Sequence, residues 1–181
     1  MIRYFILALF AGLLLSSCSP SASKKSSEID KLENELREST KKNISDTSKV
    51  KQLLSAYSYY TTTFPTDSLT PIYLMKSAKF YDFVLLTDSA IHCYDRVYTE
   101  FPKYPKANLA LFSEAFIYAN EKHDLAKAGI LYKEYLNKYP NTNLAQSAAL
   151  ELQTLGKTPD QIMAEMDSIR QARMDSTKTN P

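Results

Sequence analysis

Glycine is scarce in this 181-residue chain, with three in all, and the prolines number only eight. A fold of many short strands needs frequent turns, so this scarcity argues against an all-β architecture. Lysine and arginine never form a block longer than two, and 22 basic residues nearly balance 20 acidic ones. Nucleic acid is therefore not an expected partner. There is no Gly-rich phosphate loop, nucleophile elbow or metal-ligand cluster, so no cofactor, metal or small-molecule substrate is expected. Histidine occurs only as His92 and His123. His92 and Cys93 are adjacent and so face different sides of a helix, unable to ligate one metal together. His123-Asp124 falls in a polar turn, where a cap is the ordinary role. What is present is a 44% hydrophobic, 12% aromatic chain, enough for one globular domain.

Residues 1–17, MIRYFILALFAGLLLSS, pair a basic start at Arg3 with an apolar run from Tyr4 to Leu15. That run is short for a membrane-spanning helix and has the length of a signal-peptide core. It ends in Leu15-Ser16-Ser17-Cys18, which resembles the lipobox of bacterial lipoproteins. The resemblance implies cleavage before Cys18 and lipid attachment there; the alternative is an ordinary secretory signal with an incidental cysteine. Two or more acyl chains hold a protein stably on a membrane, where one holds only marginally. The polar, small residues 18–27 are expected to form a flexible tether. By the same resemblance, Ser19 stands where aspartate retains some lipoproteins at the inner membrane, and the tether lacks an acidic surface-export cluster. The periplasmic face of the outer membrane is the implied location. With Cys18 lipidated, Cys93 has no disulfide partner and is expected to be buried.

The core of the chain repeats. Three stretches, YSYYTTTFPTD, YDRVYTEFPKY and YKEYLNKYPNT, each run an aromatic helical pattern into an aromatic-proline pair, where a helix must end. Pro65, Pro102 and Pro140 are 37 and 38 residues apart, and Tyr57, Tyr94 and Tyr132 each lie eight residues upstream. Each long unit reads as two helices. The first follows Leu74, Ala78, Tyr81 and Leu85, with Pro71 in its first turn. A cap at Thr87-Asp88 opens the second, which carries Ala90, Tyr94, Val97 and Phe101. The next unit repeats this with Leu111, Ala115, Tyr118, the turn EKHD, then Ala128, Tyr132 and Tyr135.

Ala78, Tyr81, Ala90, Tyr94, Pro102 and their counterparts Ala115, Tyr118, Ala128, Tyr132, Pro140 resemble the tetratricopeptide repeat. Alanine replaces the family's glycine in both units, and Ser77 and Glu114 replace its preceding leucine. The expected fold is an all-α, tetratricopeptide-like helical-hairpin solenoid of about three units with closing helices, spanning residues 28–172. Residues 46–65 match the second helix of a unit. EIDKLENELRESTKK, with Ile29, Leu32 and Leu36 on one face, is expected to supply its partner helix, with a coiled-coil start as the alternative. After Pro140, LAQSAALELQTLG reads as a closing helix stopped by Gly156. TPDQIMAEM then starts another, with Thr158 as cap, Pro159 in the first turn and Gln161 reaching back. Residues 173–181 are expected to fray.

Lipobox and repeats together resemble the tetratricopeptide lipoprotein subunit of the β-barrel assembly machine, and more closely its shorter Bacteroidota relatives. The resemblance implies a non-enzymatic adaptor for protein partners in envelope or outer-membrane protein assembly. A structural link to peptidoglycan or division machinery, of the Tol-Pal kind, is the alternative; an enzyme with an unrecognised site is a third class. In this family the first helix of each unit lines the concave face. The implied partner-binding positions are Ile72, Met75, Lys79 and Phe83, followed by Leu109, Phe112, Phe116 and Asn120. The competing possibility is that the amphipathic helix around Ile162, Met163 and Met166 fills this groove, or that these positions are ordinary core.

Overall fold

The computed structural model describes residues 21–42 and 46–178. Cys18 and the apolar run before it lie outside the described residues. Among those described there are eight helices and no strand: α1 (Ala22–Lys41), α2 (Thr47–Thr63), α3 (Thr70–Phe83), α4 (Thr87–Glu100), α5 (Ala107–Asn120), α6 (Leu125–Lys138), α7 (Ala145–Thr154) and α8 (Pro159–Lys178). From α1 to α7, each helix packs on its neighbours in the chain, so the fold grows by stacking hairpins. None of the described helices is long and apolar enough to cross a membrane.

The aromatic-proline repeats become three copies of one loop. The amides of Phe64, Phe101 and Tyr139 donate to the carbonyls of Tyr60, Val97 and Tyr135, closing α2, α4 and α6. Three residues on, Asp67, Tyr104 and Thr142 donate back to those aromatics' carbonyls. Three further on, Thr70, Ala107 and Ala145 donate to that second set. Proline follows each closing aromatic at a position whose N–H none of these bonds uses, which is why its missing N–H is tolerated.

The turns inside the hairpins also match one another. Leu85 and His123 both adopt left-handed backbone, with φ of 58° and 54°. At Leu85 the geometry is a Schellman ending, with Leu86 N–H on Tyr81 O and Leu85 N–H on Asp82 O. Thr87 and Asp88 do not cap α4, whose N-cap is Leu86 without a side-chain bond. Their side chains instead reach the next hairpin: Thr87 Oγ1 donates to Glu121 at 2.8 Å, and Asp88 pairs with Lys122 at 2.8 Å. The two turns are thereby tied together, which positions α3–α4 against α5–α6. Asp124 does cap α6, accepting from Lys127 N–H at 2.9 Å.

Two buried clusters result. The larger runs from α3 to α7 and centres on Ala78, Ala90, Ala110, Ala115 and Ala128, with Tyr94, Tyr132 and Tyr135 filling the space beside them. Alanine at those facing positions lets helix axes approach closely, so little space remains between them. Free Cys93 is buried within it. The smaller cluster holds Ile29, Leu53, Tyr57, Tyr60 and Tyr73, with Leu32 and Leu36 of α1 packed against it. Residues 28–41 thus form the partner helix of α2.

Both ends differ from the expected boundaries. α1 begins at Ala22, inside the segment read as tether. Ser21 caps it, Ala22 packs on the small cluster, and the Lys25 ammonium sits 5.3 Å from the Tyr59 ring centre, so tertiary contact holds these polar residues helical. At the other end α8 continues to Lys178, where fraying was expected from residue 173, because neither glycine nor proline interrupts it.

Candidate functional site: an apolar groove with a basic rim

The eight positions implied to bind a partner do not form one surface. Met75 is buried in the large cluster, and Ile72 is half-buried. Phe112 turns inward, its ring edge-on to Tyr132 at 5.7 Å and Tyr135 at 5.9 Å between centres. Leu109 packs against the same cluster and lines a shallow recess with Asn108, Thr142 and Leu144. Phe116 is exposed, and exposed Asn120 donates to the Phe116 carbonyl at 3.0 Å. Only Lys79 and Phe83 come together in a cavity.

That cavity is an open groove of about 800 Å³ between α1, α2 and α3. Its apolar surface comes from Leu36 of α1, Val50 and Leu53 of α2, and Phe80 and Phe83 of α3. Phe83 is 85% exposed, although it ends a helix whose other large apolar residues are mostly covered. Four basic side chains, Arg37, Lys41, Lys76 and Lys79, line the same groove against the single carboxylate of Glu33. Glu33 is already engaged. It accepts from the buried Tyr57 hydroxyl at 2.7 Å and from Lys76 at 2.5 Å. Burial and that carboxylate push the Tyr57 hydroxyl well above its usual range, so it stays a donor.

One side chain in the groove departs from the repeat. Leu53 stands in the register where α4 has Ala90 and α6 has Ala128, with a tyrosine four residues later in each. A leucine at a facing position holds α1 further from α2 than alanine would. Sequence reasoning missed Leu36, Arg37, Lys41, Val50, Lys76 and Phe80. The Leu53 departure from the alanine register was the available signal.

A second recess of about 400 Å³, lined by Ser77, Asp88, His92, Cys93 and Arg96 among others, brings polar groups together between α2, α3 and α4. Burial pushes the Cys93 thiol up to about 11, which keeps it protonated and a poor nucleophile at neutral pH. No group of three or more metal-binding side chains occurs among the described residues.

Glu114 is the other unusual group. It is 2% exposed and leaves its Oε2 without a hydrogen-bond partner. Burial first, then the nearby charges of Asp95 and Glu134, raise its carboxyl to about 7, with Lys127 opposing. It lies within the packed hairpins, outside the residues lining the groove. No protein-family model matches this chain and no curated protein matches it, so the chemistry of the groove itself is what speaks for function.

Proposed function

We propose that this chain is a lipid-anchored, tetratricopeptide-like adaptor on the periplasmic face of the outer membrane, holding a segment of a partner protein in envelope assembly. The observation that carries the binding role is the α1–α3 groove, apolar in its floor and basic at its rim. Such a surface suits an amphipathic segment laid into a hydrophobic groove, with acidic residues meeting the rim. The Leu-Ser-Ser-Cys ending of the apolar run supports the anchor at Cys18, and the stacked hairpins support the repeat reading. The second reading, a link to peptidoglycan or division machinery, draws on the same fold and differs in the partner.

A photo-crosslinking residue at Phe83, compared with one at exposed Lys133, tests the adaptor in intact cells. Envelope-assembly subunits captured at Phe83 alone support it; Tol-Pal or peptidoglycan components favour the link. Identical captures at both positions overturn a partner role for the groove. Cys18→Ser separately tests the anchor, because a variant still processed and retained in outer-membrane fractions removes the lipid from the argument.

A further inference from the structure

The groove at one end of the molecule has a chemical complement at the other. Among the described helices, α8 is the one without extensive packing on another element, touching α7 through the Glu165–Gln153 side-chain hydrogen bond. It is nonetheless well formed at its start: Thr158 Oγ1 accepts from Gln161 N–H at 3.3 Å and Gln161 Oε1 accepts from Thr158 N–H at 2.9 Å. Lys157 adds an ion pair to Glu165 at 2.5 Å. Ile162, Met166 and Ile169 recur at helical spacing with Met163 beside them, and Met163 and Met166 remain 64% and 56% exposed. Up to Ile169 the helix carries Asp160, Glu165 and Asp167 and no basic residue.

We infer that α8 of one copy docks in the α1–α3 groove of a second copy, so that the chain associates head to tail. Three features carry this. Beyond half-buried Ile162 the apolar stripe of α8, at Met163, Met166 and Ile169, is exposed, as is Phe83 at the groove. The charges are complementary: Asp160 and Asp167, the latter also paired with Arg170, lie on the first half of α8, and Arg37, Lys41 and Lys79 line the groove beside the Lys76–Glu33 pair. A helix capped before it docks has less ordering entropy to lose. The folded hairpins α3–α6 separate the two surfaces, and α8 does not pack on α1, α2 or α3, so within one molecule they stay apart. The contact is heterologous: a docked pair leaves a free groove on one copy and a free α8 on the other, and association extends into a chain or closes into a ring. Bound α8 occupies the site assigned above to a partner segment, so self-association and partner binding exclude each other. The inference needs the groove and α8 only, and it stands whether or not an envelope partner exists.

Sedimentation velocity of the purified full-length chain in detergent tests it. Mass should rise with concentration beyond a dimer, and added salt should weaken the rise. Lys41→Glu with Lys79→Glu should weaken association at least tenfold; adding Asp160→Lys and Asp167→Lys to the same chain should restore it. All four positions are solvent-facing, so thermal midpoints should hold. Phe83→Cys in one copy and Met166→Cys in another should join through a short bismaleimide, Cys93 being buried. A monomer at all concentrations overturns the inference, as does a link formed only within one chain carrying both cysteines. Association indifferent to the charge reversals overturns it too. Capture of a different protein's acidic helix at Phe83, without any α8, assigns the groove to that helix instead.

Discussion

The first hairpin and the central hairpins use one tyrosine register for different ends. In α3–α6 the facing positions are alanines, the helices close, and the tyrosines are sealed in a continuous cluster. In α1–α2, Leu53 takes the alanine position, the smaller cluster stays separate, and an open groove remains. The tyrosine hydroxyls record the difference. Tyr57 reaches Glu33 at the groove, whereas the Tyr132 hydroxyl is buried without a partner. The same scaffold thus favours density in the middle and access at the end. In a stack where each hairpin touches only its neighbours, such a division needs few substitutions.

The sharpest break of this comparison is truncation at matched positions. Tyr132→Ala should cost about 3–5 kcal/mol, the range for large aromatic core deletions, because the alanine-packed surroundings have little room to collapse. Tyr57→Ala should cost less, about 2–3 kcal/mol, since the open side lets α1 relax inward. Chemical denaturation of both variants measures this. The Tyr57→Ala curve should also gain an early phase as the first hairpin uncouples. Equal losses with single transitions would mean that the two clusters are one.

Much of the central architecture is legible in the sequence. Aromatic-proline pairs end helices for a local steric reason, so their spacing transfers directly to the observed loops. The Thr158–Gln161 cap is equally local and is present as expected. What escaped depends on distant contacts. Ala22 and Lys25 look like linker residues until α2 offers them Tyr59 and the small cluster. Thr87 and Asp88 have the chemistry of a cap and serve to join two turns. The eight partner positions follow one helix per unit, but Phe112 packs inward while Lys79 and Phe83 find their neighbours on α1, whose register no repeated motif announces.

A second difference between the regions is a buried charge in the centre with no counterpart in the first cluster. Glu114 has its folded carboxyl raised to about 7 from 4.5, mainly by burial. Between those values the folded chain holds a proton that the unfolded chain has released, so stability falls as pH rises through the window. The loss is complete above about pH 7. Asp95 and Tyr98 from α4, with Lys127 and Glu134 from α6, are the titratable groups facing it. Glu114→Gln keeps the shape and removes the titration. It should flatten the stability profile and raise stability at about pH 8 by about 1–3 kcal/mol. Urea midpoints from about pH 5 to about pH 8 decide the matter. Parallel slopes in the two proteins would show that Glu114 is not the titrating group.

The smallest expected effect is the most specific, because it removes one oxygen from each region. Tyr57→Phe deletes a donor that Glu33 uses, and the carboxylate keeps Lys76. The cost should be about 1 kcal/mol, that of one ordinary hydrogen bond with a partner that retains solvent access. Tyr132→Phe deletes a hydroxyl that burial has stripped of water without supplying a partner. Removing it should be neutral or should stabilise by up to about 1 kcal/mol, since an unsatisfied buried group carries its full desolvation penalty. The two variants share register, residue type and chemistry, so their difference isolates the environment. Denaturation at constant pH gives both numbers. If Tyr132→Phe loses stability as Tyr57→Phe does, its hydroxyl has a partner, and the contrast between a sealed centre and an accessible end fails at the atom on which it is most exposed.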